Sequence, residues 1–241
     1  MENVAEELLT KTVQEAQAGA KIVVWSELNG AVLKEDEAAL LQKASEVAKE
    51  QQIYLFVSLL VKTPREDYKE NKVIVLNPFG EMISEYYKFG RSIGELCQEG
   101  DGELKYVDTE YGRIATFICS DMAFTSKIRQ AGREGVDILM IPASDWQEMT
   151  AIALKTAIVR GIENGCSIVR QTNCGTSVAA DWRGNISATG NYFQSDTKTI
   201  TAQVSTEGRF TAYAYIGDLF AWLCGGYLFI TFTTKKKRNR E

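Results

Sequence analysis

The amino-acid sequence predicts a layered α/β sandwich that forms one large domain. Short apolar strands and amphipathic helices alternate along the chain in a mixed order, which is typical of helices packed on sheets. The 241 residues contain no linker rich in proline, glycine and serine, and 45% of them are hydrophobic. A chain of this length and composition can bury one sizeable core.

Hydrophobic periodicity predicts four helices. Apolar side chains recur every three to four residues in each of them, and Gly19 ends the first. In chain order, these helices cover residues 2–18, 36–50, 124–134 and 149–164.

Short runs of β-branched or alternating apolar residues predict the strands, the first of which is the run KIVVW. The turn Pro78-Phe79-Gly80 joins two of them as a hairpin. Residues 89–104 are glycine-rich and irregular, which favours an active-site loop. The predicted strands are 21–25, 53–61, 72–77, 81–88, 113–119, 136–142, 166–171, 176–181, 186–190 and 197–204.

The composition excludes several kinds of site. The chain has no histidine, which excludes Ser-His-Asp and Cys-His catalysis and histidine-ligated zinc. Its five cysteines form no CxxC pair, so the sequence predicts no disulfide framework, metal or other cofactor. A net charge of −5 argues against general nucleic-acid binding. A nucleophile in this chain must therefore be activated by carboxylates or amines.

The C-terminal segment differs from the rest of the chain. Residues 219–232 (LFAWLCGGYLFITF) are apolar on every face, and the basic tail KKKRNR follows closely. The run is short for a membrane span, which takes about 17–25 residues, unless its flanks contribute. A basic stop after an apolar run favours a membrane helix with a cytoplasmic C-terminus. A buried core helix is the alternative, and a nuclear or nucleic-acid signal in the tail is a minor one.

Three predicted strands end at reactive side chains: Glu27, Lys88 and Cys119. Chemistry in α/β proteins gathers at the carboxyl ends of strands, where side chains leave the packed layer together. A carboxylate there can take the proton of a thiol, and an ammonium can stabilise the thiolate and a tetrahedral oxyanion. Glu95 and Asp121 can hold Lys88 charged or orient an incoming group. Taken singly, such residues are more often packing or solvated termini, so the prediction depends on their combination.

The segments around these residues resemble the nitrilase superfamily, whose catalytic residues are Glu, Lys and Cys. VVWSELNG resembles the segment of the general base, ISEYYKFG that of the lysine, and RIATFICSDMAF that of the nucleophile. The resemblance covers roughly residues 5–205. It implies an α-β-β-α sandwich in which Glu27 is the base, Lys88 the catalytic lysine and Cys119 the nucleophile.

Within that superfamily the sequence resembles the bacterial apolipoprotein N-acyltransferases. Ile93-Gly94-Glu95 is similar to their glutamate-bearing loop, which implies an assisting role for Glu95, and RQTNCG and TAYAYIGDLFAW are similar to two further segments. Those enzymes move an acyl chain from a phospholipid, through a cysteine thioester, to the N-terminal amine of a lipoprotein. By the same analogy Trp146 lines an acyl pocket, although a tryptophan at a strand end is more often packing.

Three functions stay open. The first is a membrane-anchored acyltransferase with a phospholipid donor and a lipoprotein acceptor. It implies an extracytoplasmic catalytic domain over 1–210, a membrane helix over 211–234 and a cytoplasmic tail over 235–241. The second is a soluble, cytoplasmic hydrolase of a small amide or nitrile. The third is an inactive relative that serves as a binding module.

Overall fold

The computed structural model of the protein describes residues 2–64, 68–90, 96–194 and 198–238. The α-helices in these residues are Glu2–Gln17 (α1), Glu37–Gln51 (α2), Thr125–Arg133 (α3), Thr150–Asn164 (α4), Ala212–Ile216 (α5) and Leu219–Arg238 (α6).

The described strands form two sheets. In the first sheet both β1 and β2 run parallel to β3, and β4 and β5 continue antiparallel. Its strands are Ile22–Val24 (β1), Gly30–Leu33 (β2), Tyr54–Lys62 (β3), Lys69–Leu76 (β4) and Met82–Tyr87 (β5).

The second sheet has the spatial order β11-β10-β9-β8-β7-β6, and its central strands β7, β8 and β9 are parallel. Its strands are Lys105–Thr109 (β6), Gly112–Thr116 (β7), Ile138–Ser144 (β8), Ser167–Asn173 (β9), Thr176–Ala180 (β10) and Ile186–Asn191 (β11). Because β7, β8 and β9 are parallel, their carboxyl ends lie at the same edge of this sheet.

Strand β3 shows how the layers are built, because successive side chains of a strand point to opposite faces. Tyr54 and Phe56 pack into the core between the two sheets, whereas Leu55 and Val57 pack into the core that α1 and α2 cover. Helix α4 contacts β9 and β10 of the second sheet, and α3 contacts α4. The described residues thus form the α-β-β-α sandwich that the sequence predicts.

Most predicted elements are confirmed, with small shifts at their ends, but some details are wrong. The strand predicted over 113–119 ends at Thr116, and Cys119–Ala123 forms a 3₁₀ turn. Strands β2 and β6 were not predicted. In the described structure residues 198–204 form no strand, although their apolar residues alternate, because a strand also needs a neighbour to pair with.

The C-terminal region holds two helices where the sequence predicts one membrane helix over 211–234. Helix α5 packs on α3, since Ala214 is fully buried and its carbonyl accepts a hydrogen bond from Arg133 Nε at 2.8 Å. Gly217, with a φ of 55°, follows α5. Helix α6 then continues into the basic tail, and these lysine and arginine residues lower the mean hydropathy of the helix. Among the helices of the described ranges, none combines the length and hydropathy needed to cross a bilayer.

Candidate active site

Glu27 and Lys88 form a buried ion pair in the first sheet. Glu27 lies in the turn after β1, and Lys88 directly follows β5. Lys88 Nζ donates to Glu27 Oε1 at 2.8 Å, and both residues are 2% exposed. Asn71 on β4 donates its side-chain N–H to the same oxygen, also at 2.8 Å. Buried charges are costly unless they are paired and hydrogen-bonded, and these contacts meet that condition.

The turn that carries Glu27 is anchored on both sides. The backbone N–H of Trp25 donates to the carbonyl of Phe56 on β3 at 3.0 Å. The indole N–H of Trp25 donates to the hydroxyl of Thr12 on α1 at 2.9 Å. Leu28, just after Glu27, has a φ of 66°, a left-handed conformation that reverses the chain there. The position of Glu27 is therefore set by a neighbouring strand and by α1.

Cys119 begins the 3₁₀ turn that follows β7. Its φ is 44°, and such a left-handed conformation is uncommon outside glycine and is concentrated at functional sites. Its Sγ donates a hydrogen bond of 3.6 Å to the carbonyl oxygen of Ser144, the last residue of β8. The thiol thus lies at the edge where the parallel strands of the second sheet end.

Charges around Cys119 act on its thiol in opposite directions. The pKa of Cys119 is raised to about 12, chiefly by burial and then by the negative charge of Glu27. The charges of Lys88 and Arg170 and the hydrogen bond to Ser144 act to lower that pKa. The thiol is therefore protonated at neutral pH and needs a base at the moment of attack. The charges of Glu27 and Lys88 both act on the thiol, which is consistent with the predicted grouping, and the catalytic roles of the three residues stay a prediction.

Asp121 ties the turn of Cys119 to the segment after Lys88. It is 1% exposed. Burial raises the pKa of its carboxyl, while its hydrogen bonds and the charge of Lys88 lower it by a smaller amount. Asp121 therefore links the turn of Cys119 to the segment that follows Lys88, in addition to the predicted effect of its charge on Lys88. Its donors are the backbone N–H groups of Phe89, Gly90 and Ile118 and the hydroxyl of Tyr86.

We expect Asp121→Ala to lower the free energy of unfolding by about 3 kcal/mol or more, because each buried N–H left without an acceptor costs about 1–3 kcal/mol. Urea unfolding measures this loss. Asp108→Ala is the matched control, since it removes an ion pair with Arg113 in which the aspartate side chain is 68% exposed. That change should cost much less than the loss in Asp121→Ala, because exposed ion pairs contribute little to stability. An equal loss in both variants would contradict the role of Asp121.

A second buried ion pair joins Asp145, which follows β8, to Arg170 in the middle of β9. Arg170 Nη1 and Nη2 donate to the two carboxylate oxygens of Asp145 at 2.9 and 2.6 Å. Neither residue was predicted, nor was Asn71. Asp145 directly follows the apolar strand β8, so the expectation that reactive side chains lie at the carboxyl ends of strands could have identified it. Asn71 lies inside a strand and carries no such signal.

Two predicted residues remain. Glu95 lies outside the described residues. Trp146 is 58% exposed, and its role in binding an acyl chain stays a prediction. Within the described ranges, no group of three or more Cys, Asp or Glu side chains is arranged to hold a metal ion.

Comparison with known proteins extends these observations. The sequence model of the carbon–nitrogen hydrolase family matches residues 3–212. Apolipoprotein N-acyltransferase 1 of Treponema denticola is 26% identical over 151 residues, which are 61% of this chain and 28% of that protein. A formamidase of Bacillus cereus is 32% identical over 98 residues, which are 40% of this chain and 30% of the formamidase. The chain therefore spans less than a third of the length of these relatives.

Solved structures have the same fold. An amidase from Nesterenkonia sp. superposes with a TM-score of 0.67 at 16% identity, covering 79% of this chain and 81% of the amidase. At this identity the likeness shows the fold alone. The family model, in contrast, matches most of the sequence. The chain therefore belongs to the carbon–nitrogen hydrolase family of the nitrilase superfamily, as its sequence predicts.

Proposed function

We propose that this protein is an acyltransferase that forms a thioester on Cys119 and passes a fatty acyl chain from a phospholipid to the N-terminal amine of a lipoprotein. The exposed apolar surface of helix α6 supports the choice of a lipid as the acyl donor. Its apolar side chains are exposed, among them Phe220 at 75%, Trp222 at 78% and Phe229 at 70%. Exposed apolar surface of this kind marks contact with a protein or a membrane. The similarity to the acyltransferase of Treponema denticola supports the same choice.

The proposed first half-reaction acylates the thiol. Glu27 takes the proton of Cys119, and Sγ attacks the ester carbonyl of the phospholipid. Lys88 donates a hydrogen bond to the oxyanion that develops. The C–O bond then breaks, and the departing alkoxide takes the proton from Glu27. The products are a lysophospholipid and the thioester.

The second half-reaction transfers the acyl group. The lipoprotein amine attacks the thioester carbonyl, and Glu27 takes a proton from the amine nitrogen. The C–S bond breaks, and the proton on Glu27 restores the thiol. The products are an amide and the free enzyme, so Glu27 serves as base and then as acid in each half.

An amidase acting on small amides is the second candidate, and the formamidase similarity supports it. A solved mutant of the Nesterenkonia amidase, at a TM-score of 0.68 and 14% identity, shows covalent addition of an acetamide moiety at its active site cysteine. In this candidate Cys119 attacks an amide carbonyl, ammonia leaves, and water hydrolyses the thioester. Substrate choice therefore separates two reactions that share one nucleophile.

The acyltransferase proposal includes a location. Helix α6 contacts the membrane. A catalytic domain over 1–210 outside the cytoplasm and a tail over 235–241 inside it need a helix that crosses the bilayer, and none in the described ranges is long and apolar enough, so this topology stays a prediction.

Purified protein mixed with phosphatidylethanolamine vesicles is expected to gain one acyl mass, removable by hydroxylamine. Formamide and acetamide are expected to release no ammonia. The exposed apolar side chains of α6 make contact with the vesicle, so the variant Phe220→Ser/Trp222→Ser/Phe229→Ser should be acylated more slowly from vesicles. The control Ile152→Ser/Val159→Ser/Ile162→Ser, which removes three exposed apolar side chains of α4, should leave the rate unchanged. Intact mass spectrometry follows both rates.

Three outcomes count against the acyltransferase. Ammonia release without any acyl adduct favours the amidase. So does recovery of the protein from cells in the soluble fraction without detergent. Neither product with either substrate favours the third alternative, an inactive binding module.

A further inference from the structure

The Arg170–Asp145 pair lies next to the carbonyl that holds the thiol of Cys119. Ser144 accepts the hydrogen bond from Cys119 Sγ, and Asp145 is the next residue along the chain. Arg170 lies on β9, which pairs with β8 up to Ser144. The ion pair therefore fixes Asp145, the residue that follows the hydrogen-bond acceptor Ser144.

The carboxylate of Asp145 is held in one position. The side chains of Arg170 and Asp145 are 3% and 4% exposed, and the hydroxyl of Thr172 donates a third hydrogen bond to Asp145, at 3.1 Å. The backbone N–H of Asp145 donates to the carbonyl of Asn173 at 2.9 Å. A Cβ on Gly175 would lie 2.4 Å from Asp145 Oδ2, so this glycine makes room for the carboxylate. Backbone and side chain of Asp145 are both immobilised.

Stability alone does not account for this pair. Replacing a buried ion pair with apolar side chains of similar volume is often neutral or stabilising. A two-pronged contact between a guanidinium and a carboxylate does, however, impose a defined geometry. That geometry is transmitted to the carbonyl one residue away.

We propose that Arg170 and Asp145 are positioning residues for the nucleophile: they hold the Ser144 carbonyl where it orients the thiol of Cys119. The inference rests on the proposed function, in which Cys119 attacks the donor. Glu27 and Lys88 act on the thiol from the first sheet, and Arg170 acts from β9 in the second. The positive charge of Arg170 lowers the pKa of Cys119, in opposition to Glu27.

The test measures iodoacetamide alkylation of Cys119 by peptide mass mapping across a range of pH. Arg170→Met is expected to slow alkylation severalfold near pH 8, because the thiol loses both its oriented acceptor and a positive charge that lowers its pKa. The paired variant Arg170→Met/Asp145→Leu leaves no unpaired buried charge, so its stability in urea unfolding should recover. Its Cys119 should nevertheless still be alkylated slowly. Arg113→Met, which removes an arginine in an exposed ion pair with Asp108, should react like the unmodified chain.

A milder variant keeps the test decisive if Arg170→Met does not fold. Thr172→Val keeps the ion pair, removes the hydroxyl that donates to Asp145 and to the carbonyl of Asn173, and should slow alkylation in the same direction. Recovery of both stability and alkylation rate in the paired variant would show that the pair is only structural and would overturn the inference. Absence of an acyl adduct from the unmodified chain, while alkylation of Cys119 still slows in Arg170→Met, would instead contradict the proposed function and leave the positioning role standing.

Discussion

Replacing Cys119 with alanine is expected to abolish the acyl adduct completely. The thioester needs a sulfur beside Glu27 and Lys88, and the charges of both residues act on Cys119. The unmodified chain should gain one acyl mass from phospholipid vesicles, removable by hydroxylamine, and Cys119→Ala should gain none. Peptide mapping by mass spectrometry locates the adduct.

Cys174→Ser is the matched control for this experiment. Cys174 is partly buried, as Cys119 is, and it also has a left-handed backbone, with a φ of 56° against 44°. Its loss should leave the adduct unchanged, because no role in the reaction is assigned to it. An adduct that persists in Cys119→Ala, or that maps to Cys97 or Cys174, would refute Cys119 as the nucleophile.

Glu27→Gln and Lys88→Met are each expected to lower turnover at least about a hundredfold, the usual effect of losing a general base or an oxyanion donor. The two groups share one hydrogen bond of 2.8 Å and act as a unit. The double variant should therefore cost far less than the product of the single effects. Turnover with saturating vesicles measures all three variants.

The same two variants should move the reactivity of the thiol in opposite directions. The carboxylate of Glu27 raises the pKa of Cys119, so Glu27→Gln should lower that pKa and speed alkylation by iodoacetamide. The ammonium of Lys88 lowers the pKa of Cys119, so Lys88→Met should raise it and slow alkylation. If Glu27→Gln has a more reactive thiol but little turnover, Glu27 acts as the base rather than as a packing residue.

Stability must be controlled in these variants. Each single change removes one member of a buried ion pair, which costs about 3–5 kcal/mol. The neutral double variant should recover much of that loss in urea unfolding. Turnover close to that of the unmodified chain in either folded single variant would contradict the proposed mechanism.

The sequence by itself determined the layered α/β class, most of the helices and strands, and the identity of three reactive strand ends. These follow from local information, because hydrophobic periodicity over a few residues distinguishes a helix from a strand. The lack of histidine left carboxylates and amines as the groups able to activate a thiol. The family followed from short segments around Glu27, Lys88 and Cys119.

Only the tertiary structure decided how those groups meet. Glu27 and Lys88 are 61 positions apart, and the register of β3, β4 and β5 brings them together with Asn71. The acceptor role of Asp121 and the Arg170–Asp145 pair depend in the same way on which distant segments lie side by side. The C-terminal region gives a further example, because burial of Ala214 and its bond to Arg133 hold α5 on the domain, while α6 begins after Gly217. Contacts between distant segments leave no periodic pattern in the chain, so no local reading of the sequence reveals them.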